Sequence, residues 1–195
     1  MDYSLDKGWV RGVRRVASPN FGPRPIGAVP ELLVIHNISL PPGEFDNDCI
    51  MQLFTNCLDW AEHPYFETIR GMEVSAHFLV RRDGELIQFV SCDERAWHAG
   101  ESSYCGRENC NDFSIGIEME GTDELPYSNA QYAQLQALSL ALIAAYPGLD
   151  AERIAGHSDI APGRKTDPGP AFDWHRYRQA LGHPEEPEEL EEKAP

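Results

Sequence analysis

Short apolar runs that are typical of buried strands alternate along this chain with segments in which apolar side chains recur at helical spacing. The predicted strands are 31–36, 75–80, 85–90, 113–120 and 153–156. The predicted helices are 46–60, 128–146 and 173–180. Interleaving of this kind favours strands and helices that share one core. We therefore expect an α/β (mixed α+β) fold, a single domain with a central mixed β-sheet flanked by helices.

Two stretches specify parts of this sheet more closely. Arg82-Asp83-Gly84 lies between the second and third predicted strands, and Asp-Gly between two β-rich runs is a strong signal for a hairpin. Residues 113–120 alternate strictly between apolar side chains and small or acidic ones. They predict a strand whose two faces have different surroundings.

Length and charge narrow the class of protein. The 195 residues suffice for one domain, and a net charge of −16 repels phosphate backbones, so nucleic acid is not an expected partner. The sequence has no apolar run long enough to span a bilayer and no signal peptide pattern, which predicts no membrane partner and a cytoplasmic location. The five cysteines are odd in number and argue against a disulfide framework. We assign 1–182 to the domain and expect the acidic tail 183–195 to be disordered.

Two histidines and one carboxylate are placed where strand ends and turns can bring them together. His36 ends the first predicted strand, at a position where α/β sheets commonly bind ligands. His157 and Asp167 flank a short segment that contains turn-forming Pro and Gly residues. This ligand set suits a catalytic zinc ion with its fourth position open to water. Taken alone, His36 is also compatible with a strand-end histidine that hydrogen-bonds a carbonyl group.

Two further side chains have the chemistry for hydrolysis. Glu118 has small neighbours on its face of the predicted strand, and such a carboxylate beside zinc can take a proton from water and pass it to a leaving amine. Charge alone does not choose between Glu118 and Glu120, although we expect Glu120 to be a solvated residue of the outer face. Lys165 either pairs with Asp167 at the surface or stabilises a developing oxyanion.

The loop 96–112 is long and polar and contains glycine, which is typical of a functional loop. Within it, the indole of Trp97 offers a flat face for a sugar ring. His98, next to it, is expected in the wall of the same pocket.

Four motifs, in order and at compatible spacing, resemble the type 2 N-acetylmuramoyl-L-alanine amidases and peptidoglycan recognition proteins. Within that family the likeness is to the 1,6-anhydro-N-acetylmuramyl-L-alanine amidases of Gram-negative bacteria, and it runs over about residues 8–177. The motifs are HNISLPPG (36–43), RAWHAG (95–100), CNDFSIGIE (110–118) and GHSDIAP with KTDPG (156–169).

The resemblance implies one zinc ion per chain, bound by His36, His157 and Asp167. It also implies that Glu118 is the proton acceptor and that Lys165 stabilises the transition state. The residues that it places along the muropeptide groove are Asn37, Trp97 and His98.

The activity implied is zinc-dependent hydrolysis of the amide bond between 1,6-anhydro-N-acetylmuramic acid and L-alanine in muropeptides. The implied setting is cell-wall recycling in the cytoplasm, which alters the muropeptide pool that signals β-lactamase induction. We expect a monomer whose partner is the anhydromuropeptide substrate. The alternatives are a non-catalytic peptidoglycan-binding module and an amidase that acts on intact peptidoglycan.

Overall fold

The computed structural model describes residues 3–182, which contain twelve strands and five α-helices. The strands are β1 (Leu5–Asp6), β2 (Trp9–Val10), β3 (Arg14–Arg15), β4 (Phe21–Pro23), β5 (Leu32–Ile38), β6 (Phe78–Val80), β7 (Leu86–Gln88), β8 (Glu94–Ala96), β9 (Ser103–Tyr104), β10 (Arg107–Glu108), β11 (Ser114–Glu120) and β12 (Ile154–Gly156). The helices are α1 (Cys49–Phe54), α2 (Pro64–Thr68), α3 (Asn129–Ala145), α4 (His157–Ile160) and α5 (Trp174–Ala180). The tail 183–195, for which we predict disorder, lies outside the described residues.

Six of the strands form the central sheet in the order β12-β5-β11-β6-β7-β3. β12, β5, β11 and β6 run parallel, β7 is antiparallel to β6, and β3 runs parallel to β7. The predicted mixed sheet and the β6–β7 hairpin are therefore confirmed. Among residues 3–182, no helix has the length and apolar character needed to cross a membrane.

The two central strands, β5 and β11, pair along seven residues each and are covered on both faces. Leu33 and Ile35 point into the largest core, which α3 and α5 cover. Leu32 and Val34 point to the opposite face, into a smaller apolar cluster that includes Ile160 of α4. Parallel strands with two buried faces are expected to consist of apolar runs, and the 32–35 segment has that composition.

Helix α3 begins and ends where the sequence predicts. Ser128 accepts a hydrogen bond from Gln131 N, and the Gln131 side chain accepts one from Ser128 N, which is a capping box. Leu135, Leu138 and Leu142 are fully buried against the sheet. Each such side chain contributes about 1.5–3 kcal/mol relative to an exposed one.

The predicted helix over 46–60 is wrong in extent, because α1 contains only Cys49–Phe54. The backbone leaves the helix at Asn56, which has a φ of 60°. Leu58 nevertheless packs into the same apolar cluster as Phe54. The apolar spacing thus reports burial correctly, although a turn and not a helix provides it.

The expectation that Glu120 is solvated is also wrong, since Glu120 is only 1% exposed. Its Oε2 accepts a hydrogen bond from Arg82 N in the β6–β7 turn, at 2.9 Å. The turn therefore covers this end of β11, and Glu120 satisfies a backbone donor there.

Candidate metal centre and active site

The carboxyl ends of three parallel strands bring the central residues of the site together. His36 in β5 and Glu118 in β11 are paired residues of the ladder, so their side chains leave the sheet on the same face. His157 follows β12 directly, as the first residue of α4. Ligands of α/β proteins commonly bind at this edge of the sheet.

Asp167 reaches the same place because the chain after α4 folds back. Asp167 O accepts a hydrogen bond from Ser158 N at 2.9 Å, which ties the returning segment to the start of α4. Gly156 lies under the next residue, and a Cβ at Gly156 would approach Pro168 Cδ to 2.9 Å. We call residues 157–169 the ligand loop.

Three acceptor atoms converge at the site. His36 Nδ1 lies 2.9 Å from His157 Nδ1 and 3.1 Å from Asp167 Oδ2, and His157 Nδ1 lies 3.0 Å from the same oxygen. Ligand atoms bound tetrahedrally at 2.0–2.1 Å from one zinc ion would be roughly 3.3 Å apart. The trio therefore has the spacing of three ligands around a single cation.

The protonation of the imidazoles also fits a metal. His157 Nε2 lies 3.1 Å from Ala99 O, and a carbonyl oxygen can only accept, so in the neutral imidazole Nε2 carries the proton and Nδ1 the lone pair. Burial lowers the pKa of His36 to about 4, and the neutral imidazole is the form that binds a metal. Although burial opposes it, contact with His157 and His36 holds the pKa of Asp167 below its usual value, so this carboxyl group is an anion.

Glu118 is 8% exposed, and its Oε2 has no hydrogen-bond partner within residues 3–182. Burial raises the pKa of Glu118 well above its usual value, and the nearby charge of Asp167 raises it further. A buried carboxylate with a free oxygen and a raised pKa is suited to accept and return a proton.

Lys165 is exposed and forms no ion pair with Asp167 in the described chain. Its positive charge acts on the site nonetheless, because it lowers the pKa of both Glu118 and His36. Of the two interpretations of Lys165, this arrangement favours a cation that is available to a bound molecule.

The three residues predicted to line the groove have different surroundings. Asn37 Nδ2 donates to Asp123 Oδ1 at 2.7 Å and to Pro168 O at 3.1 Å, which leaves its Oδ1 for other partners. Trp97 is half-buried. His98 lies behind His36, with its Nδ1 2.9 Å from His36 Nε2. A substrate contact by any of the three stays a prediction.

A cleft of about 700 Å³ opens beside the ligand loop. Its walls come from residues 100–103, 108–109, 160–162 and 164. Sequence reasoning did not identify this cleft, although its segments 100–103 and 108–109 both fall within the loop 96–112, for which we predict a functional role.

Sequence reasoning also missed the residues that hold the ligand loop in place. Tyr127 OH donates to Pro168 O at 2.8 Å, next to the hydrogen bond from Asn37. Gly169 lies so close to the backbone of Asp123 that no Cβ fits there. The Pro-Gly pair at 168–169 indicates a fixed turn, but the residues that contact it, Asn37, Asp123 and Tyr127, are distant in sequence.

Comparisons with known proteins agree with this geometry. A family profile described as N-acetylmuramoyl-L-alanine amidase matches residues 26–170. The 1,6-anhydro-N-acetylmuramyl-L-alanine amidase AmpD of Escherichia coli (strain K12) is 60% identical over 174 residues, which are 89% of this chain and 94% of AmpD. The AmpD of Haemophilus influenzae is 49% identical over 177 residues, which are 91% of this chain and 96% of that protein.

Solved structures show the same likeness. A crystal structure of AmpD superposes with a TM-score of 0.88 at 59% identity and covers 91% of this chain and 98% of its own. The complex of Pseudomonas aeruginosa AmpDh3 with an anhydromuramic pentapeptide has a TM-score of 0.57 at 27% identity, and it covers 91% of this chain and 66% of its own.

Proposed function

The chain belongs to the N-acetylmuramoyl-L-alanine amidase family and is an amidase of that kind, and on this premise we propose that it is a zinc enzyme of muropeptide recycling. The proposed reaction is hydrolysis of the amide bond between 1,6-anhydro-N-acetylmuramic acid and L-alanine, carried out in the cytoplasm by residues 1–182. The observation that carries the proposal is the convergence of His36, His157 and Asp167 near the buried carboxylate of Glu118, whose Oε2 has no hydrogen-bond partner within residues 3–182.

The proposed ligands of the ion are His36, His157 and Asp167, with one ion per chain. Zinc bound by them would act as a Lewis acid that polarises a carbonyl group and makes water a stronger acid. Two neutral imidazoles and one carboxylate are the donor types that catalytic zinc sites use.

Glu118 is the proposed proton carrier. It takes a proton from the attacking water, whose oxygen forms a bond to the lactyl carbonyl carbon of the substrate. When the C–N bond breaks, Glu118 returns the proton to the nitrogen of L-alanine. The products are anhydro-N-acetylmuramic acid and a free stem peptide. Glu118 ends the cycle deprotonated, as it began.

Lys165 is proposed to stabilise the oxyanion that develops on the carbonyl oxygen. Its lack of an ion pair with Asp167 supports this role, since a cation that is already neutralised by a ligand would contribute less to a new charge. Lys165 is exposed, so the substrate itself would have to exclude water from it.

The substrate assignment rests on the relatives. AmpD, 60% identical to this chain, is named for the 1,6-anhydro-N-acetylmuramyl-L-alanine bond, and the more distant AmpDh3 binds an anhydromuramic pentapeptide. We propose that Asn37, Trp97 and His98 contact this substrate, through the free Oδ1 of Asn37 and the ring faces of the other two.

The experiment is a comparison of substrates with and without a chelator. Purified protein should contain one zinc ion per chain and should cleave an anhydromuramyl-L-alanyl peptide much faster than intact peptidoglycan. Faster cleavage of intact peptidoglycan would overturn the substrate assignment and leave the chemistry in place.

A ligand variant tests the metal separately. Asp167→Asn should lose zinc and activity together, while Asp150→Asn, an exposed aspartate before β12 at the opposite edge of the sheet, should retain both. Full activity of the Asp167→Asn protein without zinc would refute the metal-dependent mechanism. Retained binding of muropeptide without any cleavage by the wild type would instead support a binding module.

A further inference from the structure

His98 forms the middle of a hydrogen-bonded chain that runs from the backbone to the proposed zinc ligand His36. Ser114 Oγ lies 2.6 Å from Cys110 O and 3.1 Å from His98 Nε2. On its other side, His98 Nδ1 lies 2.9 Å from His36 Nε2. The chain of contacts is therefore continuous from Cys110 O to His36.

The direction of each hydrogen bond in this chain follows from its first member. Cys110 O can only accept, so the single hydroxyl proton of Ser114 points to it, and Ser114 Oγ must accept from His98 Nε2. A neutral imidazole carries one N–H, so with the proton of His98 on Nε2 its lone pair is on Nδ1, the atom that faces His36. His36 Nε2 then donates to that lone pair.

This order fixes the tautomer of His36. With its proton on Nε2, His36 has a lone pair on Nδ1, the atom that faces His157 and Asp167. The chain thus specifies the one neutral form of His36 that can bind a metal through that nitrogen.

The second imidazole ligand is supported by the next residue of the same segment. His157 Nε2 donates to Ala99 O at 3.1 Å, which leaves His157 Nδ1 free for the metal in the same way. Two adjacent residues, His98 and Ala99, therefore determine the tautomers of both histidine ligands.

This segment is itself held rigidly. Asn111 Oδ1 accepts hydrogen bonds from His98 N at 3.1 Å and from Ala99 N at 2.8 Å. On the sheet below, Gly116 leaves the space that the His98 ring occupies, because a Cβ at that position would overlap the ring.

We propose that His98 is a positioning residue of the metal centre, which acts through His36, and that Ser114 sets the orientation and tautomer of His98. Ala99 O has the corresponding role for His157, since it accepts the hydrogen bond from His157 Nε2. This inference rests on the proposed metal ligands, and it adds a function for His98 beyond a contact with substrate. Partners of this kind typically contribute about 10- to 100-fold to metal affinity.

The test measures the zinc dissociation constant by competition with a chelator. His98→Leu removes the acceptor for His36 Nε2 and should weaken zinc binding about 10- to 100-fold, and Ser114→Ala should weaken it by a smaller factor. His98→Asn places an amide oxygen near the position of Nδ1 and should restore most of the affinity. A residue that only fills space would show the opposite order, because leucine is closer to histidine in volume than asparagine is.

Ser139→Ala is the matched control, since Ser139 is a buried serine whose hydroxyl bonds Tyr177 OH in the α3–α5 region. It should leave the zinc affinity unchanged. Equal affinities of wild type, His98→Leu and Ser114→Ala would overturn the inference, as would an Asn variant no better than the Leu variant. A wild-type protein that does not bind zinc would instead overturn the proposed function, and the inference with it.

Nitrogen NMR of the zinc-loaded protein gives an independent reading. His98 should show a protonated Nε2 and an unprotonated Nδ1, and this pattern should be lost in Ser114→Ala. A protonated Nδ1 in the wild type would contradict the inference whatever the affinities are.

Discussion

The two parts of the site are held in different ways. His36 and Glu118 belong to β5 and β11, whose ladder pairs seven residues of each strand deep inside the domain. Asp167 and Lys165 belong to the ligand loop, which is fixed by single hydrogen bonds and close contacts from outside it. We call His36 and Glu118 the strand part of the site, and Asp167 and Lys165 the loop part. The positions of the strand part should tolerate substitutions around them, whereas those of the loop part depend on side chains that are distant in sequence.

The largest expected effect is on the strand part. Glu118→Gln should lower kcat by about 10²–10⁴-fold, because the amide cannot carry the proton, and it should leave zinc binding in place. The matched control is Glu120→Gln, which changes a second buried glutamate on the same face of β11. If Glu120→Gln reduced kcat as strongly as Glu118→Gln at equal zinc content, the assignment of Glu118 would be wrong.

A smaller loss is expected for the cation of the loop part. Lys165→Met should reduce kcat by about a hundredfold through the loss of oxyanion stabilisation. Zinc affinity should change little, because within residues 3–182 Lys165 forms no ion pair with Asp167, the acidic member of the proposed ligand set. The measurement is kcat together with zinc titration, and loss of zinc in this variant would show that Lys165 supports a ligand instead.

Two glycines of the loop allow a direct test of how it is held. Gly163 and Gly169 both have positive φ, of 76° and 78°, but only Gly169 is packed against the backbone of Asp123. Gly163→Ala should cost about 1 kcal/mol of unfolding free energy from backbone strain alone. Gly169→Ala should cost roughly 2–4 kcal/mol and should also weaken zinc binding, because the loop must move away from Asp123. Equal stability and equal zinc affinity of the two variants would show that the contact with Asp123 does not hold the loop.

The smallest expected effect comes from one hydroxyl group. Tyr127→Phe leaves Pro168 O without one of its donors and should cost about 1 kcal/mol of stability, with a several-fold loss of zinc affinity. Tyr177→Phe removes a buried hydroxyl that contacts Ser139 and should cost a similar amount without any change in zinc affinity. Denaturant unfolding and chelator competition on both variants distinguish a local effect on the loop from a general loss of stability.

The strands and α3 could be predicted from the sequence, whereas the contacts that hold the ligand loop could not. Strict alternation in 113–120 and the apolar run before His36 predict both central strands, because these patterns depend only on local periodicity. The Ser128 cap and the leucine stripe likewise predict α3. The residue types and turn signals indicate the proposed ligands, and the resemblance chooses Glu118 over Glu120 as the proposed base. No local pattern connects Tyr127 with Pro168, 41 residues further along the chain.

The errors have physical causes too. Glu120 has the alternation of an exposed residue, and it is buried because the β6–β7 turn folds over it. The pocket-wall role of His98 stays a prediction, and its neighbours in sequence give no sign of the contacts that its ring makes with His36 of β5 and Ser114 of β11. Tertiary partners of this kind become visible only when the strands are assembled.

The burial of both faces of β5 determines how stable the protein should be without its metal. The core contacts of Leu33 and Ile35 lie on the opposite face of β5 from His36, the proposed metal ligand, so we expect folding not to depend on the ion. Small zinc domains that lack such a core unfold when the metal is removed. This chain should instead persist as a folded apoprotein, with an unchanged far-ultraviolet circular dichroism spectrum, and should regain activity on addition of zinc without refolding.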